Sequence, residues 1–268
     1  MSEFLNTAEN ISVYGFAASD LNKALQNNEF ALHYQPQVSA KTGAMVGFEA
    51  LIRWNHPMFG LIAPGDFIPL AEESGFILQM GDWVVKTACE QIKQWHLRFG
   101  KGLKVAVNLS IKQFSDQLLV ENIKNALENT GLDPHYLELE LTESVTGNME
   151  LIMNTVKKLK ALGVGISIDD FGRGYSSLYF LKELEIDKLK LDRSFIIDIH
   201  KKKDQTIVQS MLLMAKGLKL EVVAEGIETK EQMEIFAKEC DYLQGFYICK
   251  PLPKREIEKL LRKRVRAS

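Results

Sequence analysis

Residues 30–54 read FALHYQPQVSAKTGAMVGFEALIRW, and this stretch determines how the predicted fold begins. Its two apolar runs, at 30–35 and about 46–54, predict the first two β-strands. The connection between them, QVSAKTGAM, has its turn at residues 41–43. It is too short for a parallel crossover, which needs roughly a dozen residues or more. We therefore expect strands one and two to be antiparallel.

Strands and helices alternate after residue 54. Six further strands are predicted at 104–108, 136–141, 165–169, 188–191, 221–224 and 242–247. The spacing of these strands favours a closed α/β barrel. In such a barrel, the carboxyl ends of the parallel strands meet at a single mouth.

The helical segments show periodic apolar residues and end signals. Residues 82–99 place an apolar face at helical spacing, which predicts a helix packed on the sheet. Ser115 is expected to cap a helix that continues to residue 129 and stops at Gly131, and Asn148 is expected to cap another that ends before Gly163.

Composition indicates one large globular domain. The chain has 268 residues, 46% of them hydrophobic, and a net charge of −2, which does not favour a nucleic-acid polymer as a partner. No apolar run approaches the ~18 residues that a membrane-spanning helix needs. Three cysteines without a CxxC pair predict reduced thiols. The domain is expected to cover residues 21–268, with 1–20 as a linker or the severed end of a larger protein.

Acidic or amide side chains recur where the predicted strands end. These residues are Glu49, Asn108, Glu140, Asp169, Asp170, Asp192 and Glu225, together with Lys190. Carboxylates gathered at one mouth repel one another unless a cation compensates their charge. Oxygen ligands of this kind suit Mg²⁺ or Mn²⁺. Zinc is disfavoured because the five histidines are scattered.

Asp169 and Asp170 are adjacent, and successive strand residues normally face opposite sides. Both reach one site only where the strand is ending, as the following FGRG sequence suggests. Two such carboxylates can hold two metal ions about 4 Å apart, a spacing used to hydrolyse phosphate esters with an activated water.

Three other kinds of residue have competing interpretations. Lys190 alternates with leucines in KLKLDRS, so it faces either the site or solvent, and the acidic neighbours favour the site. Arg53 lies on the same strand side as Glu49 and suits a phosphate contact, although a solvent ion pair is equally consistent. Gln35 and Gln244 offer donors and acceptors but are uninformative by themselves.

The EAL string and seven further sequence blocks, all in the expected order, resemble those of EAL-domain cyclic-di-GMP phosphodiesterases. EALIRW at 49–54 is joined by HYQPQ at 33–37, NLS at 108–110, ELTE at 140–143, DDFGRGYSSL at 169–178, KLD at 190–192, AEGIE at 224–228 and QGFYICKPLP at 244–253. The resemblance implies a TIM-like (β/α) barrel with the first strand antiparallel to the rest. It also implies hydrolysis of cyclic-di-GMP to linear pGpG with Mg²⁺ or Mn²⁺, inhibition by Ca²⁺, and a bacterial cytoplasmic setting, with the chain either alone or as part of a larger protein.

The same resemblance implies a role for each matched residue. Glu49, Asn108, Glu140 and Asp169 would hold one metal ion, and Asp169 with Asp170 the second. Glu225 would hold or orient a metal-bound water, and Lys190 would contact the nucleophilic water. The implied substrate contacts are Gln35, Leu51, Arg53, Asp192, Gln244 and Glu228. Glu143 would steady the loop that begins with DDFG and couple the site to a homodimer.

Two other functions compete with this interpretation. A non-catalytic cyclic-di-GMP receptor would keep the pocket without turnover, but every matched ligand position is intact. A barrel lyase of the enolase type or a glycoside hydrolase would use paired acids for another reaction. The sequence blocks of those families do not match this chain.

Overall fold

The computed structural model describes residues 14–100, 102–142, 149–172 and 181–267. Among these residues, ten strands form one sheet. They are β1 (Phe30–Ser39), β2 (Met45–His56), β3 (Gly60–Ile62), β4 (Lys104–Leu109), β5 (Leu137–Thr142), β6 (Gly165–Phe171), β7 (Lys188–Leu191), β8 (Glu221–Ala224), β9 (Tyr242–Leu243) and β10 (Leu252–Pro253). Eight of them close into a barrel because β1 pairs with both β2 and β9, while β3 and β10 extend β2 and β1 outside it.

The predicted antiparallel hairpin is confirmed. β1 runs antiparallel to β2, with Gln35 opposite Glu49, and antiparallel to β9. The other neighbouring pairs of barrel strands are parallel. The fold is therefore an α/β barrel whose first strand is antiparallel to the rest, as expected.

Two strands end four residues away from the predicted position. β1 continues through Pro36 to Ser39, with a bulge between Gln37 and Val38. The expectation of a strand over 242–247 is wrong, because β9 ends at Leu243. The chain then turns, and the amides of residues 248 and 249 donate to the carbonyl of Gly245 rather than to a neighbouring strand.

Helices pack around the barrel. They are α1 (Ala18–Gln26), α2 (Ile68–Glu73), α3 (Ile77–Phe99), α4 (Leu119–Thr130), α5 (Met149–Leu162), α6 (Arg193–Ile197), α7 (Lys202–Gly217), α8 (Lys230–Phe236) and α9 (Lys254–Ala267). Short 3₁₀ helices cover Pro64–Asp66, Ile111–Ser115 and Pro134–Tyr136.

The helix predicted from residue 82 is present as α3 and begins earlier, at Ile77. Gly131 ends α4 in the left-handed conformation, as expected. The assignment of Ser115 as a helix cap is wrong. Ser115 closes the preceding 3₁₀ helix, which Ser110 caps, and Asp116 accepts the amide of Leu118 just before α4 begins. Asn148 lies outside the described residues.

The barrel wall separates an apolar shell from a polar interior. On β5, Leu137, Leu139 and Leu141 belong to the buried apolar core. Glu138 and Glu140 alternate with them and are also buried. Glu140 reaches Lys190 on β7, two strands away, so this set of side chains points into the barrel. Period-two alternation thus sends leucines to the helices and charged groups to the interior.

The three cysteines are free thiols. Burial raises the pKa of Cys89 and of Cys240 to about 12, which keeps both sulfurs protonated and unreactive near neutral pH. Within the described part of the chain, no helix is both long enough and apolar enough to cross a membrane.

Candidate active site

The ammonium group of Lys190 lies at the centre of the barrel mouth. Its side chain is fully buried. Nζ is 2.7 Å from Glu140 Oε2 and 2.8 Å from Glu225 Oε1. It is also 3.2 Å from Asp169 Oδ1 and 3.7 Å from Glu49 Oε2. Acids separated by up to 176 positions in sequence, between residues 49 and 225, therefore converge on one cation.

A network of amide side chains holds Glu49. Asn108 Nδ2 donates to Glu49 Oε1 over 2.8 Å, and Gln244 Nε2 donates to Glu49 Oε2 over 2.5 Å. Gln244 Nε2 also lies 3.1 Å from Gln35 Oε1, and Gln37 Nε2 donates to Gln244 Oε1 over 2.9 Å. Because Asn108 uses its NH₂ group on Glu49, its Oδ1 is the atom available as a ligand.

A break in strand regularity brings Asp169 and Asp170 to the same site. Asp170 has φ 53°, in the left-handed region, and the pairing of β6 with β7 shifts between Ile168 and Phe171. The backbone N–H of Asp170 donates to Asp169 Oδ1 over 2.9 Å. The prediction that this strand ends at Asp169 is wrong, because β6 continues to Phe171. An irregularity within the strand, rather than its end, turns both carboxylates to one side.

Burial and charge act differently on the acids of the site. Burial raises the pKa of Glu140 and of Glu225 well above the ordinary value, against the attraction of Lys190. Burial also acts to raise the pKa of Glu49, but Lys190 and the donors Gln244 and Asn108 outweigh it, so that pKa is lowered. Desolvation disfavours the charged form of Lys190, yet the surrounding carboxylates raise its pKa well above the ordinary value.

A cleft of about 290 Å³ opens beside this cluster. Its lining comprises Gln35, Glu49, Leu51, Arg193, Glu225, Gly226, Glu228, Gln244, Gly245 and Phe246. Arg193 Nη2 donates to Glu228 Oε1 over 2.6 Å at the rim. Gly226, at φ 70°, lets the stem of Arg193 pack closely, since a Cβ there would collide with Cγ of Arg193.

Other predicted substrate residues lie apart from the cleft lining. Arg53 donates from Nη1 to the carbonyl of Ile52 over 2.8 Å, so its guanidinium is engaged by its own strand. Asp192 caps α6 by accepting the amide of Ser194 over 2.9 Å. Glu143 and residues 173–178 of the DDFG loop lie outside the described residues.

Sequence reasoning missed Arg193 and Gln37. Gln37 was detectable, because it stands two positions after Gln35 and so faces the same side of β1. Arg193 directly follows the KLD block, but nothing local showed that it lines the cleft. Its position depends on the packing of its stem against Gly226, a residue 33 positions away.

The donor set fits a hard divalent cation. Glu49, Glu140 and Asp169 each offer a carboxylate oxygen within 4.8 Å of the others, and so do Asp169, Asp170 and Glu225. The two sets share Asp169, as expected for a residue between two ions. Carboxylate oxygens together with an amide oxygen are ligands that Mg²⁺ and Mn²⁺ accept.

Comparison with known proteins identifies the family. Residues 18–251 match the EAL domain family. The chain belongs to this family. The EAL domain is 45% identical over 241 residues to the bifunctional diguanylate cyclase/cyclic di-GMP phosphodiesterase MucR of Pseudomonas aeruginosa, an alignment that covers 89% of this chain and 35% of MucR. It is 42% identical over 246 residues to the cyclic di-GMP phosphodiesterase NbdA of the same organism, covering 91% of this chain and 31% of NbdA.

Solved structures share the architecture of this EAL domain. The PaMucR phosphodiesterase in complex with c-di-GMP superposes with a TM-score of 0.85 at 45% identity, covering 89% of this chain and 98% of that one. The chain spans about a third of the length of the curated relatives it matches.

Replacing Lys190 by Met should destabilise the metal-free EAL domain. Four buried or part-buried carboxylates would lose the ammonium that they share, and breaking a buried ion pair costs about 3–5 kcal/mol. Urea unfolding in EDTA measures the change. Lys259→Met is the control, since that lysine pairs with Glu256 on the exposed side of α9. Equal unfolding free energies for the two variants would contradict this role of Lys190.

Metal affinity should rise with pH. Because the pKa values of Glu140 and Glu225 are raised, these groups hold protons above their ordinary titration range, and a metal must displace them. Calorimetric titration with Mn²⁺ between about pH 5 and about pH 8 should show tighter binding at higher pH. Buffers of different ionisation enthalpy should show proton release. Binding that is independent of pH and of buffer would disprove the prediction.

Proposed function

We propose that this EAL domain is a metal-dependent phosphodiesterase that hydrolyses cyclic-di-GMP to linear 5′-pGpG. The observation that carries the proposal is the pair of carboxylate sets that share Asp169 at the mouth of the barrel. Family membership supports the choice of substrate, because MucR and NbdA are named for cyclic di-GMP phosphodiesterase activity.

The geometry supports the ligand assignments that the family resemblance implies. Glu49, Asn108, Glu140 and Asp169 would hold one Mg²⁺ or Mn²⁺ ion, and Asp170 would join Asp169 at the second. When bound, the ions would supply positive charge for the phosphoryl oxygens and would lower the pKa of the attacking water. Ca²⁺ is expected to inhibit, since its longer and more flexible coordination alters this geometry.

The residues around the ions would position the reactants. Glu225 would accept a hydrogen bond from the attacking water, and Lys190, 2.8 Å from Glu225, would donate to that water or to a phosphoryl oxygen. The water oxygen forms a bond to phosphorus while the bond from phosphorus to the 3′ oxygen breaks. The departing 3′ oxygen takes up a proton, which leaves a 5′-phosphate on the linear product.

The cleft would take the rest of the substrate. Gln35, Leu51, Gln244 and Glu228 line it, and Asp192 directly precedes the cleft residue Arg193. Among the described residues that line this cleft, Arg193 is the one cation and three are acids, so Arg193 suits contact with a dianionic substrate. Arg53 would need to leave the carbonyl of Ile52 to reach a phosphate. A homodimer coupled through Glu143 stays a prediction.

Incubation of the wild-type domain with cyclic-di-GMP and Mn²⁺ should yield pGpG, and EDTA should abolish the reaction. Product analysis by liquid chromatography measures both outcomes. The reason is that the carboxylates, without a divalent ion, supply no positive charge for the phosphate.

Two results would contradict the proposed phosphodiesterase activity. Tight binding of cyclic-di-GMP without product under these conditions would indicate a receptor rather than an enzyme. Activity on a glycoside that persists in EDTA would favour a reaction with two carboxyl groups and no metal.

Removing a proposed metal ligand should sharply lower turnover without unfolding the domain. Glu49→Ala and Asp169→Asn each remove a carboxylate from a set of like charges, so the metal-free fold should be preserved. Turnover should fall by at least about 100-fold, as expected for loss of electrostatic stabilisation of the transition state. Asp82→Asn, on the exposed face of α3, is the control. Near-normal turnover in either site variant would show that the metal assignment is wrong.

A further inference from the structure

A second layer of charged side chains lies directly beneath the acid cluster, inside the barrel. Lys188 Nζ donates to Glu138 Oε2 over 2.5 Å, and both side chains are about 95% buried. Lys190 and Glu140 make the same kind of contact two residues further along the same strands. Two Lys–Glu links therefore connect β7 to β5, one above the other, and both cross β6.

Ser167 on β6 lies between these two links. In the sheet register, it stands beside Glu140 on β5 and beside Lys188 on β7. Neighbouring strands are about 4.8 Å apart, so its side chain is adjacent to both layers. The strand position two residues before it is Gly165, which leaves space beside Glu138.

Three oxygen atoms of this region are buried and have no hydrogen-bond partner among the described residues. They are Glu138 Oε1, Glu140 Oε1 and Ser167 Oγ. A buried carboxylate oxygen without a donor is costly, and such groups in folded proteins are satisfied by protein donors or by ordered water. Lys188 and Lys190 contact the other oxygen, Oε2, of each glutamate.

We infer that Glu138, Glu140 and Ser167 bind one buried water molecule between the two layers, and that Ser167 is a positioning residue for Glu140. The water would donate to Oε1 of each glutamate and accept from the hydroxyl of Ser167. Three polar partners are the usual number for a buried water. Glu140 would then be held from below through Oε1, while its Oε2 faces Lys190 and the other carboxylates.

The Lys188–Glu138 pair would orient a carboxylate near Glu140 rather than stabilise the fold. A buried ion pair is weak evidence for stability, since apolar residues of the same volume often serve as well. This pair fixes the carboxylate of Glu138, whose buried Oε1 the inferred water would join to Glu140. Removing a group that orients a metal ligand typically weakens metal binding by about 10–100-fold.

The inference rests on the proposed metal role of Glu140, and Ser167→Ala tests it. The variant removes one hydroxyl that has no hydrogen-bond partner in the described part of the chain, so folding should be preserved. Titration calorimetry with MnCl₂ should show binding about tenfold weaker than in the wild type. Thermal unfolding in EDTA should be unchanged or occur at a higher temperature, which separates positioning from a structural effect. Gln91→Met is the matched control, because Gln91 Nε2 is also buried and has no partner within the described ranges, but lies on α3, outside the barrel interior.

The outcomes are distinguishable. If the wild type binds Mn²⁺ and Ser167→Ala binds it equally well, the positioning role is wrong and the proposed function stands. If the wild type binds no Mn²⁺, the proposed function fails and the role of Ser167 fails with it. A crystal structure should show solvent density bonded to Ser167 Oγ and both glutamates. Density for a metal ion on Glu140 Oε1, or no density at this point, would overturn the inference.

Discussion

The contact of one buried ammonium with carboxylates from several strands is the constraint on which the site depends. Lys190 is fully buried and lies within 3.7 Å of the side chains of Glu49, Glu140, Asp169 and Glu225. If all four acids are ionised, one positive charge meets four negative ones. The excess negative charge raises the pKa of Lys190 and, together with burial, that of Glu140 and Glu225. The site is consequently poised to exchange protons for divalent cations.

The barrel makes this concentration of charge tolerable. Leucines on β5 and β7 face the helices and form the apolar core, while the alternating positions carry the charged residues inward. The two buried lysines of β7 each have a partner two strands away, in the links from Lys188 to Glu138 and from Lys190 to Glu140. Apolar burial in the outer layer therefore offsets the cost of the buried charges, which leaves the interior available for chemistry.

Local departures from regular geometry aim the functional groups. Asp170 adopts a left-handed conformation, which turns it to the same side as Asp169. Gly226 has no side chain at the point where the stem of Arg193 packs, and Arg193 therefore lines the cleft. Both features occur at carboxyl ends of strands, where the chain leaves the sheet and its backbone is less constrained by pairing.

The sequence by itself determined the hairpin, the eight-strand barrel and the identity of the acids at its mouth. Alternation with period two is a local property, so KLKLD already divided its residues between two opposite faces, and the neighbouring acids favoured the interior for Lys190. Tertiary structure alone decided which carboxylates share the ammonium of Lys190, that Arg193 rather than Arg53 lines the cleft, and that Ser167 lies between two charged layers. These are contacts between strands distant in sequence, and their register and packing are set by barrel closure, which no local pattern encodes.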